Sequence, residues 1–366
     1  MEENVNNEEK VEQGEQKKVN LKKKALWTIV FILIAVLSVI AVVSQTKDFS
    51  FKEFANFVKT SNKLYLILAV LSMLCFITFE GVALQIICRY FGNKTKFKDG
   101  FVYSSADIYF SAITPSATGG QPASAFFMVR DGLSGSFVAF ALFINLLMYT
   151  ISTITLGLLA LIFGHAMFLH FTTFSKIIFI LGFFVLSMLI VLIVLLLFKK
   201  GFLDKICSGF VKFLAKLHIL KKPENTLAKL EKKMDDYKEH TSMLKGKGLL
   251  LLFVFLFNFL QRVAQVVVTP LTFLASGGDP KEAFNIFWTQ TYVMVGANCV
   301  PIPGAMGVTD YIMIDGFEDL PAVESPAFLE LLSRSLSFYL CIFVAGLTIL
   351  LSSILHNKFK KKGDKK

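Results

Sequence analysis

Charged and apolar positions divide this chain into long segments. Residues 25–44, 132–175, 177–198, 283–309 and 335–357 contain no Asp, Glu, Lys or Arg. Each run reaches the roughly 20 residues that a helix needs to cross about 30 Å of hydrocarbon. With the apolar stretches around 64–90 and 249–275 added, the pattern predicts full spans at about 25–44, 64–90, 133–163, 176–198, 249–275 and 328–356. A 54% hydrophobic content and a mean hydropathy of +0.61 agree with a polytopic all-α membrane protein.

Two further apolar segments, 101–130 and 283–316, are interrupted. The first carries Ser111-Ala-Ile-Thr-Pro-Ser-Ala-Thr-Gly-Gly-Gln-Pro122, the second Ala297-Asn-Cys-Val-Pro-Ile-Pro-Gly-Ala-Met-Gly-Val308. Irregular backbone at membrane depth survives only when buried in protein or lining a wet cavity. Paired interruptions in two halves of a chain point to a transport site.

Lysine placement fixes the expected topology. Lysines crowd residues 17–24, 94–98, 199–247 and 358–366, always beside an apolar run, which is the positive-inside pattern and argues against nucleic-acid binding. The 199–248 loop has thirteen Lys against six acids, so it is expected in the cytoplasm. That location requires 101–130 to enter and leave on the cytoplasmic side, unless 133–175 holds two spans. The second break would then open from the outer side, and the halves would form an inverted repeat of helix, re-entrant hairpin, helix. The expected organisation is a cytoplasmic tail (1–24), a first membrane half (25–198), a basic amphipathic loop (199–248), a second membrane half (249–356) and a basic tail (357–366). Residues 45–63 read as an outer loop, and no cleavage site follows Ser44, so the first helix reads as retained.

Within the cytoplasmic loop, Leu227, Leu230, Met234, Tyr237, Thr241 and Leu244 recur at helical spacing. Ile206, Phe210, Phe213, Leu214 and Leu217 form a second stripe. Both suit helices lying on the bundle or the lipid surface, or a face for a partner. The five cysteines are scattered and the histidines lack metal-ligand spacing, so neither a disulfide framework nor a metal site is expected. No nucleophile–base pattern or Walker motif occurs, and no cofactor is expected.

The chain has four arginines among 38 basic residues, Arg89, Arg130, Arg262 and Arg334, and all lie within or at the ends of apolar segments. Arginine there serves either a buried ion pair, with Glu80, Asp107 or Glu330 as partner, or two-pronged binding of a phosphate. Glu80 and Arg262 fall at comparable depths in the two halves. They could neutralise one another or receive a head group of both signs. Thr118, Gly119, Gly120 and Gln121, ahead of Pro122, can start a half-helix whose N-terminus offers donors to a phosphate; Pro303, Gly304 and Gly307 can do the same, with Asp310 following. Without a ligand, the same residues simply turn the chain.

With both motifs in view, the chain resembles the lysylphosphatidylglycerol synthase transmembrane-domain family, which includes the flippase half of the multiple peptide resistance factor. The resemblance covers about 25–356 and rests on Thr114-Pro-Ser-Ala-Thr-Gly-Gly-Gln-Pro122 and Pro301-Ile-Pro-Gly-Ala-Met-Gly307. Asp310 stands where the family pattern suggests Glu. The resemblance implies a bacterial plasma-membrane protein that moves an anionic or aminoacylated phospholipid, such as lysylphosphatidylglycerol, between leaflets and contributes to resistance against cationic peptides. In two-part members a soluble synthetase follows the membrane domain. This sequence runs about ten residues past its last predicted helix, so the expectation is a membrane half that is not an enzyme by itself. Expected partners are membrane phospholipid, a separate synthetase protein and a second copy of the chain. A membrane subunit of a lipid aminoacylation enzyme and a secondary transporter of a small polar solute are the competing readings.

Overall fold

The computed structural model describes residues 51–114, 117–199, 201–202, 205–206, 208–209, 211, 235–305, 307–318, 320, 323 and 325–363. Residues Lys52–Lys366 form one compact unit. The predicted tail 1–24 and first span 25–44 lie outside the described residues, as does most of the stripe at 206–217.

The described residues are helical throughout and contain no strand. In chain order the helices are α1 (Phe51–Thr60), α2 (Lys63–Tyr90), α3 (Phe97–Ile113), α4 (Gly120–Arg130), α5 (Gly135–Phe163), α6 (His165–His170) and α7 (Thr173–Phe198). They continue as α8 (Gly248–Ala275), α9 (Ala283–Ala297), α10 (Val308–Glu318), α11 (Pro326–Arg334) and α12 (Leu340–Gly363), with a 3-10 turn at Pro303–Ala305 and a π turn at Ser335–Tyr339. Among the described residues, five segments are long and apolar enough to cross a membrane: α2, α5, α7, α8 and the α11–α12 stretch Pro326–His356. Their starts are set by local chemistry. Asn62, Ser134, Thr172 and Ser325 each accept a backbone N–H from the first turn of the helix that follows.

Helices α2 and α8 form the central pair. Asn62 N donates to Ala275 O, Ser72 Oγ to Ala264 O, and the Phe79 and Phe257 rings meet at 6.1 Å. At the far end Lys247 covers the Tyr90 ring. Partners on α8 thus fall in number as those on α2 rise, so the two helices run antiparallel along their full length. Lipid tails offer no hydrophobic drive for such association, and close packing of small residues takes its place. Gly81 of α2 and Gly100 of α3 supply it: a Cβ on Gly81 would stand 2.8 Å from the Gly100 carbonyl carbon and oxygen. The outward faces of α7 and α12, including Ile180, Phe184, Met188, Phe343, Leu350 and Ile354, expose large apolar side chains as lipid contact requires.

Both interrupted segments are helical hairpins. In the first, Gln121 reaches Asp107 and Tyr103 reaches Asp131, so α4 folds back antiparallel on α3. In the second, Gly316 of α10 packs on Thr289 of α9. The first hairpin follows the α2 C-terminus and the second follows the α8 C-terminus. Because α2 and α8 are antiparallel, the hairpins begin at opposite ends of that pair. The first packs against α2 and α12, the second against α8, α7 and α5.

Three elements differ from the sequence reading. The expected outer loop 45–63 contains α1, whose Phe57 is buried with Ala275 and Leu332. Its amphipathic spacing was short enough to be read as loop. The expected turn after α5 holds the short helix α6, and the last expected helix runs continuously over Pro326–His356 with a π turn inside it. Of the periodic stripe at 227–244, Leu227, Leu230 and Met234 lie outside the described residues, and residues 235–242 are helical, with Tyr237 and His240 against Phe140 of α5.

Candidate functional site

The first break is built around Asp107. Helix α3 ends at Ile113, and the Thr114 hydroxyl donates to Phe110 O at 2.6 Å while accepting Gly119 N at 2.9 Å. Ala117 takes a left-handed φ of 53°, a conformation costing a side-chain-bearing residue about 1–2 kcal/mol. Ala117 and Thr118 stand exposed at the tip. Helix α4 begins at Gly120, and Pro122 falls in its first turn, where no backbone donor is needed.

Asp107 Oδ2 accepts Gln121 Nε2 at 2.5 Å and Oδ1 accepts the Ser111 hydroxyl at 3.0 Å. A methyl group on Gly120 would collide with Asp107 Oδ1 and the Ser111 Oγ, so glycine is what lets the carboxylate approach. The place at the α4 N-terminus that the sequence offered to a phosphate is therefore filled by the protein's own Asp107, the charge that a helix start favours.

Behind Asp107 lies Glu80 of α2, buried and within hydrogen-bonding reach of it. Glu80 Oε2 accepts Gln261 Nε2 at 2.8 Å and Ser104 Oγ at 3.1 Å. Arg262, also buried, does not pair with either acid within 4 Å. Its Nη1 donates to Tyr149 Oη at 3.2 Å and Gln265 Oε1 at 2.8 Å, and its guanidinium lies over the rings of Tyr149 and Phe76. Arg262 Nε and Gln261 Oε1 are buried without a partner in the protein. A buried polar atom left so costs on the order of 1–3 kcal/mol.

The second break repeats the arrangement with other residues. Pro303 opens the 3-10 turn, Gly304 has φ 60° and Ala305 φ 50°. Gly307, φ 79°, donates its N–H to Asp310 Oδ2 at 2.8 Å, so Asp310 caps α10, whereas Asp107 reaches the α4 start through the Gln121 side chain. Arg334 binds Asp310 Oδ1, donates to Gly304 O at 3.3 Å and lies 3.8 Å from Glu330 Oε1. The 3-10 turn packs against α3, which brings the second tip beside the first hairpin.

Of the residues named from sequence, Glu80, Asp107, Gly119, Gly120 and Gln121 gather around the first break, with Thr118 at its tip; Arg262 is turned onto Tyr149 and Gln265 instead. Pro303, Gly304, Gly307, Asp310 and Arg334 converge at the second. Ser104, Ser111, Thr114 and Tyr149 were not foreseen as parts of these sites, whereas Glu330, expected as an arginine's partner, does lie 3.8 Å from Arg334. Ser104, Asp107 and Ser111 are spaced three and four apart on one face of α3, so a polar stripe on an apolar helix was the available signal. Arg89 and Arg130 lie at helix ends instead; Arg130 pairs with Asp131 at 2.9 Å. No group of three His, Cys, Asp or Glu among the described residues is arranged to hold a metal ion.

Comparison with protein families matches residues 27–345 to the lysylphosphatidylglycerol synthase TM region. That match spans most of the chain, both breaks included. The chain belongs to this family. No curated protein matches it. Within a lysylphosphatidylglycerol synthase TM region, the two Pro/Gly breaks are thus the ends of half-helices, and each half-helix start is occupied by a resident carboxylate.

Proposed function

We propose that this chain is a lipid translocase, moving an anionic or aminoacylated phospholipid such as lysylphosphatidylglycerol between leaflets of the bacterial plasma membrane. One observation carries the reading: two broken-helix hairpins start from opposite ends of the antiparallel α2–α8 pair, and each break carries a carboxylate beside its second half-helix, Asp107 in the first and Asp310, paired with Arg334, in the second. On this reading both hairpins are re-entrant, the lysine-rich segments 1–24, 199–248 and 357–366 are cytoplasmic, and the head group passes between the inverted halves.

The clusters suit a head group of mixed charge. Glu80 and Asp107 would receive an ammonium. Arg262, whose Nε is unpartnered, would face the phosphate. The half-helix starts at Gly119–Gln121 and Gly307 would take the phosphate when Asp107 or Asp310 moves aside. Arg334 is already engaged by Asp310 and Glu330, so its part is to hold the second break in shape.

The test is leaflet-resolved labelling of lysylphosphatidylglycerol in phosphatidylglycerol vesicles reconstituted with the full chain. Exchange faster than in protein-free vesicles, and slowed in R262Q, is the expected result. Exchange no faster than the protein-free background refutes the reading.

A further inference from the structure

Two carboxyl groups, Glu80 and Asp107, meet in the bundle interior, and their surroundings are mostly donors. Asp107 accepts from Gln121 and Ser111, and Glu80 accepts from Gln261 and Ser104. Donors on two sides of Asp107 suit its ionised form. Two ionised carboxylates in contact inside a membrane would repel strongly, so a hydrogen has to lie between them. Glu80 is placed to supply it. The pair is therefore built to hold one proton as a unit.

The pair also has a route to the tip. The Ser111 hydroxyl donates to Asp107 Oδ1 at 3.0 Å and stands half-exposed beneath the tip, so a water donating to Ser111 Oγ replaces the hydrogen that Ser111 hands to the acid. The other ionisable groups facing the pair are Arg262 from α8, Cys341 from α12 and Tyr149 beside Arg262 from α5; α4 contributes the neutral Gln121.

We propose that Glu80 and Asp107 together form a proton-binding site, filled through Ser111 from the tip of the first break, whose occupancy decides whether Asp107 closes the α4 N-terminus or leaves it to a head-group phosphate. Only a proton moves. With one proton shared, ionised Asp107 binds Gln121 and lies against Gly120, and the helix start is closed. A second proton neutralises Asp107, weakens its grip on Gln121 and removes the resident anion from the α4 start. A phosphate can then take that place. Loss of the phosphate and of the second proton restores the closed state. The proton site stands on the hydrogen bonds that set Glu80 against Ser104 and Asp107 one turn further along α3; its control of lipid passage rests on the translocase reading.

The experiment is infrared difference spectroscopy of the full chain in phosphatidylglycerol vesicles, between alkaline and acidic buffer. The expected result is a protonated-carboxyl C=O stretch that changes with pH, is altered or lost in both E80Q and D107N, and is retained in D315N, whose acid lies in the other hairpin. S111A keeps the band but slows its shift in deuterium oxide, which tests the site even if the acid variants fold poorly. A wild-type spectrum without such a band, or a band unchanged in both E80Q and D107N, overturns the proposal. The expected band in a protein that moves no lipid supports the proton site and refutes the translocase reading. Lipid exchange whose rate is the same at both pH values overturns proton control.

Discussion

Replacing Arg334 with methionine separates a structural role from a substrate-binding one. The side chain is 6% exposed, against 12% for Glu330 and 34% for Asp310. R334M removes the contact to Asp310, the hydrogen bond to Gly304 O, the approach to Glu330 and the cover over the Phe338 ring. Deleting one member of a fully buried pair costs about 3–5 kcal/mol, and an exposed pair is worth about 0–1 kcal/mol. Glu330 lies near the buried limit and Asp310 between the two, so R334M should destabilise the protein by about 2–4 kcal/mol. Most of that loss comes from stranding Glu330. R334M/E330Q removes the stranded charge and should recover about 1–2 kcal/mol, a coupling within the range seen for contacting residues. Denaturant unfolding in mixed micelles, followed by the fluorescence of Trp288 in α9 of the second hairpin, measures all four members of the cycle. A loss below about 0.5 kcal/mol in R334M, together with slowed lipid exchange, would show that Arg334 serves the substrate and that its ion pairs are incidental.

Three further outcomes test other parts of the fold. G81A puts a Cβ 2.8 Å from the Gly100 backbone, which cannot swing aside as a side chain would; a loss of about 1–3 kcal/mol or more is expected in the same unfolding assay. A117G relieves the left-handed strain at the first tip, about 1–2 kcal/mol, against about 0.4–1 kcal/mol of added unfolded-state entropy, so a small rise in Tm is expected and a fall would count against the described backbone. F140A removes the ring stacked on His240 at 5.8 Å and packed against Tyr237; trypsin should then cut at Lys238 and Lys245 faster, and an unchanged rate would show that this contact does not hold the loop helix down.

Much of the fold was legible because its rules are local. Spanning helices need apolar length, and the starts and ends of α2, α5, α7 and α8 fall within a few residues of the expected bounds. Pro and Gly marked both breaks for the same reason. What escaped was set by partners distant in sequence. α1 looked like a loop because its buried Phe57 finds its pocket on Ala275 and Leu332. The π turn after Arg334 carries no local breaker at all. The site was half legible: Glu80, Asp107, Arg262 and Arg334 stood out as charges in apolar sequence, but charge alone could not assign partners. Arg262 has the depth to meet Glu80, yet the interhelical register gives Glu80 to Gln261 and turns Arg262 onto Tyr149.

That register changes what a phosphate would encounter. An empty half-helix start would bind phosphate in any state and release it slowly. Here each start already holds a carboxylate, Asp107 on α4 and Asp310 on α10, and a charge at such a position is worth about 0.3–1 kcal/mol, rising to about 2 kcal/mol when partly buried. A visiting phosphate must displace that resident, so it gains only the difference between two anions. Small differences suit a carrier, which must let go as readily as it binds. The two residents are not equivalent. Asp310 is tied to Arg334, a cation that keeps its charge, whereas Asp107 leans on Glu80, an acid that can share a proton. The second break is thereby fixed and the first adjustable, which assigns any gating to the tip formed by Ala117, Thr118 and Gly119.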